Sequence, residues 1–229
     1  MGREFDLFPP GGILEKIREP SLKNWCSYVD HSFVKQLGRG VLAEECFRHY
    51  LVQDYLFLVH FARAYALSAY KSEKLSDIRK YISTCQTILE TEMQLHVEFS
   101  KDWGLTESDL ESASEDTATL AYTRYVLECG FAGDILDLQI ALAPCLIGYG
   151  EIGLALSGGA ISDNPFRSWI EMYSGREYQD AARETIENIE VLAVARGAID
   201  RLDSLRLIFN QALRLEIAFW DQALAVARN

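Results

Sequence analysis

Apolar positions recur at three- and four-residue spacings over long stretches of this chain, and proline marks the breaks. Pro9, Pro10 and Pro20 stand near the start, and the next prolines are Pro144 and Pro165. The proline-free interval is filled with Leu, Ala, Glu, Lys and Arg, which predicts long helices. No Asn-Gly or Asp-Gly turn separates alternating strand patterns, so nothing signals a hairpin. The pattern predicts an all-α chain. One helix is expected after Pro20-Ser21, ending at Gly38 to Gly40, and a long one from about Leu42 to Glu73. A third, capped by Ser76, runs to about Trp103 and stops at Gly104. The acidic, Ser-rich stretch Thr106 to Asp116 holds a short helical turn, and Thr117 to Cys129 is a helix stopped by Gly130. Asp134 to Leu156 follows, closed by Ser157-Gly158-Gly159. Asn164-Pro165 reads as an N-cap with proline at the first helical position, and that helix ends at Tyr173 to Gly175. Glu177 to about Ala195 and a helix after Gly197 complete the chain. With no repeat, linker or low-complexity tract, residues 1–229 read as a single domain.

Composition narrows the partners. A formal charge of −12 and a pI near 4.8 work against nucleic acid and anionic lipid, both of which select basic faces. The first twenty residues lack the apolar core of a secretory signal, and Asp6 stands where a myristoylation pattern needs Ser or Thr. The longest uncharged stretch, Leu138 to Gly150, falls short of the roughly 20 residues that span a bilayer. The cysteines, at 26, 46, 85, 129 and 145, are odd in number and form no Cys-x-x-Cys pair, so a reducing, cytoplasmic setting is expected.

The chemistry-bearing residues lie on apolar helical segments. Pro144-Cys145 interrupts the most apolar stretch, IALAPCLIGYG. The missing N–H of Pro144 frees the carbonyl of Ile140, and Tyr149 lies one turn beyond the thiol. Asp54 shares a helix face with Tyr50, Phe57 and Phe61, with His60 nearly on the same stripe. Glu216 sits among Leu215, Ile217, Phe219 and Trp220. Each has a plain alternative: Asp54 solvated or paired with an arginine, Cys145 an inert core thiol, Glu216 a surface acid paired with Arg206 or Arg214. Tyr122, Tyr125 and Tyr173 offer further hydroxyls. A dimetal carboxylate site uses paired Glu-x-x-His motifs. None of the histidines, at 31, 49, 60 and 96, has an acid three residues earlier, so no dimetal centre is expected; haem ligation by a lone histidine or by Cys145 has no specific support, and no cofactor is expected. Glu92 and Glu45 each precede a histidine by four residues, a spacing that allows local pairing.

Taken in order, FRHYLVQDYLFLVHFARAYA, ETEMQLHVEFSKDWGL, YTRYVL, LAPCLIGYGEIG, NPFRSWIEMYSG and LEIAFWDQA resemble the TenA family, thiaminase II or aminopyrimidine aminohydrolase. The resemblance covers about Asp30 to Ala225 and implies a haem-oxygenase-like helical bundle. It implies that Cys145 is the nucleophile, that Glu216 contacts the pyrimidine and moves protons, and that Asp54 holds the edge carrying the 4-amino group. Tyr122, Tyr149 and Tyr173 become pocket hydroxyls and Phe219 an apolar wall. Cys145 places the chain with the cysteine branch of the family. Phe57 departs from the pattern, standing where the family often has a second pocket tyrosine.

The expected reaction is hydrolysis of a 5-substituted 4-amino-2-methylpyrimidine, aminomethyl-pyrimidine or thiamin, to hydroxymethyl-pyrimidine in thiamin salvage. The resemblance also implies a homotetramer. Two other readings stand beside it: a redox or oxygenase relative on the same fold, and a non-catalytic pyrimidine-binding regulator.

Overall fold

The structure is a computed structural model that describes residues 7–159 and 162–228. Asp6, and with it the failed myristoylation pattern, lies outside the described residues. Among those residues there is no strand. The helices are α1 Ile13–Arg18, α2 Leu22–Val29, α3 Ser32–Gly38, α4 Glu44–Lys71, α5 Leu75–Thr87, α6 Met93–Lys101 and α7 Glu107–Ser112. They continue with α8 Thr117–Ala132, α9 Ile135–Ser157, α10 Arg167–Ser174, α11 Arg176–Ala195 and α12 Leu202–Ala225. The all-α expectation holds.

Several boundaries differ from expectation for local reasons. The helix expected after Pro20-Ser21 is broken into α2 and α3, because the His31 imidazole accepts a hydrogen bond from the Phe33 N–H and caps a new helix. The helix expected from Ser76 to Trp103 is interrupted by a π turn over Ile88–Glu92, an irregularity that is frequent at functional sites. Its start lacks the expected cap: Lys74 occupies the N-cap position and no side chain caps it. Gly130 does not stop α8. A Cβ there would lie 2.7 Å from Leu67 and 3.1 Å from Leu138, so glycine serves close packing inside the helix, which continues to Ala132. Gly104 and Gly197 do end elements, with φ of +69° and +63° that favour glycine. The α7 turn opens with a capping box between Thr106 and Asp109.

The described residues fall into two compact units: those up to Leu42 with those of Gln139–Ile217, and Ala43–Leu138 with those from Ala218 onward. In the first, Trp25 is fully buried. It stacks on Phe209 at 6.0 Å and donates from Nε1 to Glu151 Oε2 at 2.9 Å. Glu190 accepts from the N–H groups of Ile13 and Leu14, both at 2.9 Å, and so closes the start of α1 from α11. In the second unit α4 packs against α5, α6 and α8. Gln53 on α4 ties down the entry to α8, donating to the Ser114 carbonyl and accepting from the Asp116 N–H and the Thr119 hydroxyl. By length and composition α9 is apolar enough to cross a bilayer, yet most of its apolar window is buried inside the protein. It is a core helix.

Two glycines let α9 approach its neighbours in the first unit. A Cβ on Gly148 would lie 2.8 Å from the Tyr28 hydroxyl, and one on Gly153 would lie 2.6 Å from the Tyr173 carbonyl oxygen and 2.7 Å from the Ser174 nitrogen. The neighbour of Gly153 is backbone, which cannot swing aside. Gly153→Ala should therefore destabilise the protein by about 1–3 kcal/mol through overpacking, read as a lowered denaturation midpoint. An unchanged midpoint would mean that α10 can move away from α9 without loss.

Candidate active site

Asp54 is 5% exposed. The arginine pairing and the solvated reading both give way to a buried network. Its Oδ2 accepts from the Tyr50 hydroxyl at 3.0 Å and lies 2.7 Å from His96 Nε2. His96 comes from α6, just beyond the π turn, and is 1% exposed. Its Nδ1 lies 2.8 Å from the Glu92 carbonyl, so the Glu92–His96 spacing is used through the backbone. Burial opposes a charge on His96, but the hydrogen bond and charge of Asp54, with help from the Glu92 carbonyl and carboxylate, outweigh it and raise its pKa above the usual value. The Glu92 carboxyl is pushed up to about 7, mainly by burial, with His96 opposing and Asp54 adding to the rise.

Within the second unit Tyr50 joins this network to a cluster of aromatic rings. Phe57 lies 5.0 Å from Tyr122, 5.4 Å from Phe61 and 5.9 Å from Phe219, and Tyr50 stands 6.1 Å from Phe219 and 5.3 Å from Trp220. The structure thus gathers four of the residues singled out in the sequence: Asp54, Phe57, Tyr122 and Phe219. His60 leaves the stripe for a different group, lying 3.3 Å from Glu115 and within reach of Arg63 and Arg124. Burial, then Arg124, lower its pKa. Tyr125 faces Cys129, one turn along its own helix, and burial raises its pKa.

The first unit gathers the others in part. Tyr149 on α9 and Tyr173 on α10 are both buried, 4.8 Å apart by ring centroids, with Trp169 at 5.9 and 4.5 Å from them. Buried Gln179 fixes this junction by donating to the Gly150 and Tyr173 carbonyls at 2.9 and 2.7 Å. Cys145 is half-buried, in a helix that continues through Pro144. Glu216 is 2% exposed, which removes the surface-pair reading; Arg206 binds Asp203 and the Lys16 carbonyl, and Arg214 binds Gln211. Among the other thiols, burial raises the pKa of Cys85 and of Cys129, which leaves both as weak nucleophiles.

His96 escaped the sequence reading as a site residue, although a signal was present. Ile88, Met93, His96 and Ser100 form the buried side of this segment, and a polar ring on such a stripe requires a buried partner. Glu151, buried against Trp25, escaped in the same way. Among the described residues no group of three or more His, Cys, Asp or Glu side chains is arranged to hold a metal ion.

The sequence profile of the TENA/THI-4/PQQC family matches residues 19–225. An aminopyrimidine aminohydrolase of Halalkalibacterium halodurans is 35% identical over 202 residues, covering 87% of this chain and 89% of that protein. A crystal structure of a protein from a Silicibacter species, described as a TenA family transcription regulator, superposes with a TM-score of 0.87 at 39% identity, over 94% of this chain and 98% of that one. A domain from Shewanella denitrificans with a haem-oxygenase-like fold superposes with a TM-score of 0.70 at 17% identity, over 94% and 93% of the two chains, a likeness of fold. Of some longer curated relatives the chain spans only 39% to 40%. An all-helical structure, superposable on TenA proteins and matched over nearly its whole length, makes this chain a member of the TENA/THI-4/PQQC family.

Proposed function

We propose that this protein hydrolyses 5-substituted 4-amino-2-methylpyrimidines to hydroxymethyl-pyrimidine, with Cys145 as nucleophile, Glu216 as proton carrier and Asp54 as the acceptor for the 4-amino edge. The observation that carries this reading is the buried Asp54 carboxylate, which accepts from Tyr50 at the start of a run of ring contacts through Phe219 to Phe57 and Tyr122. Acids are rarely buried without a partner or a use, and an acceptor next to a cluster of aromatic rings suits a flat heterocycle carrying an amino group. The aminopyrimidine aminohydrolase relative from Halalkalibacterium supports the same choice.

The chemistry follows from the ring. An aromatic pyrimidine releases the group on its C5 methylene poorly. Addition of the Cys145 thiolate to C6 forms a C–S bond and breaks the aromaticity, and the electron pair then expels the C5-methylene substituent as it takes a proton from Glu216. Water adds to the exposed methylene and gives a proton to Glu216. Breaking the C–S bond restores the ring and the thiolate. Covalent addition divides a hard step into easier ones, and one carboxyl serves as acid and then as base. Tyr122, Tyr149 and Tyr173 supply pocket hydroxyls, and Phe57 supplies a ring face in place of a hydroxyl. We further propose a cytoplasmic homotetramer, which light scattering would report as four chain masses.

Two measurements separate the roles. Cys145→Ser should remove turnover with unchanged helicity, whereas Cys26→Ser and Cys85→Ser keep near wild-type rates. A Cys145→Ser protein that retains most of its rate rules out the covalent route. Glu216→Gln should lower kcat by about 10²–10⁴-fold with a far smaller change in product Kd. Asp54→Asn should weaken product binding as well as rate, because a mispaired buried group costs about 1–3 kcal/mol. Normal kcat in Glu216→Gln moves proton transfer to another group. The regulator reading is favoured instead if the wild type binds the pyrimidine tightly and releases no ammonia from aminomethyl-pyrimidine.

A further inference from the structure

The two oxygens of Asp54 are used unequally. Tyr50 and His96 both reach Oδ2, at 3.0 and 2.7 Å, and among the described residues no hydrogen bond reaches Oδ1. His96 has its own constraint: Nδ1 faces the Glu92 carbonyl at 2.8 Å while Nε2 faces the Asp54 carboxylate. Both partners only accept, so the ring satisfies both only when each nitrogen carries a proton. The titratable groups facing this ring are Asp54 and Tyr50 from α4 and Glu92 from the π turn. His96 and Asp54 therefore form a buried imidazolium–carboxylate pair, in line with the raised pKa of the ring.

We propose that His96 is a positioning residue that decides which pyrimidines are accepted: it occupies Oδ2 and keeps Asp54 an acceptor, so that Oδ1 takes an N–H from a 4-amino group. This rests on the hydrolase reading above. A ring that offers only its nitrogen lone pair at that edge meets acceptor against acceptor. Sites built to pair with a particular donor reject analogues that lack it far more strongly than apolar pockets reject a missing methylene.

The test has one arm without substrate and one with it. In wild-type protein carrying ¹⁵N-histidine, with the His96 signals assigned by their loss in His96→Gln, both ring nitrogens of His96 should be protonated at pH 7. A neutral ring overturns the proposal. In the second arm, calorimetry compares hydroxymethyl-pyrimidine with its analogue lacking the 4-amino group. Wild type should prefer the amino compound by on the order of 10²-fold or more, and His96→Gln should narrow that preference by roughly tenfold. The stability difference between wild type and His96→Gln should be full below about pH 6.5 and fade as pH rises through the raised value of the folded protein. An unchanged preference in a folded His96→Gln protein overturns this inference alone. Failure of wild type to bind either pyrimidine overturns the hydrolase reading and takes this inference with it. Should His96→Gln not fold, a wild type with no preference for the amino compound overturns the proposal.

Discussion

The pairing of Asp54 with His96 is the constraint around which the second unit is arranged. Two ionisable groups removed from water carry a desolvation penalty of several kcal/mol each unless they meet in good geometry with their remaining hydrogen-bonding capacity satisfied. Here the ring is held at both nitrogens, by the Glu92 carbonyl and by Asp54. The carbonyl sits at the end of the π turn over Ile88–Glu92, in the segment where the helix departs from regular geometry. On the other side Tyr50 completes Oδ2, and Phe57, three residues beyond Asp54 on α4, packs its ring against Tyr122 and Phe219. Few arrangements of these side chains satisfy all of those contacts, which gives Asp54 a fixed orientation before any ligand arrives.

The first unit solves a different problem, the close approach of helices. Gly148 and Gly153 remove the side chains that would hold α9 away from Tyr28 and from the Tyr173 backbone. Gln179 then uses one amide nitrogen to tie the Gly150 and Tyr173 carbonyls. Tyr149 and Tyr173 are brought ring to ring as a consequence of that packing. Cys145 lies one turn before Tyr149 on the same helix and is half-buried. The burial of Glu216 likewise follows from its place among the apolar residues of α12.

Much of this was legible in the sequence because helices announce themselves by local signals. The scarcity of proline and the glycines at 104 and 197 act within a few residues of where they stand. The misreadings were of residues whose meaning is tertiary. Gly130 looks like a stop and is a packing site against Leu67 and Leu138. Among candidate residues, the stripe of Asp54 with Tyr50 and Phe57 followed from helical spacing and is present. His96 lies 42 residues from Asp54, and no local rule joins them. Only the demand that a buried acid find a partner pointed to it, and the sequence offered arginines as readily as histidines.

The most direct test is a crystal structure with hydroxymethyl-pyrimidine bound. The account predicts the 4-amino nitrogen within hydrogen-bonding distance, about 3 Å, of Asp54 Oδ1, with Oδ2 still held by His96 and Tyr50. A pyrimidine whose amino edge points away from Asp54, or an Asp54 that abandons His96 to receive it, would contradict the account.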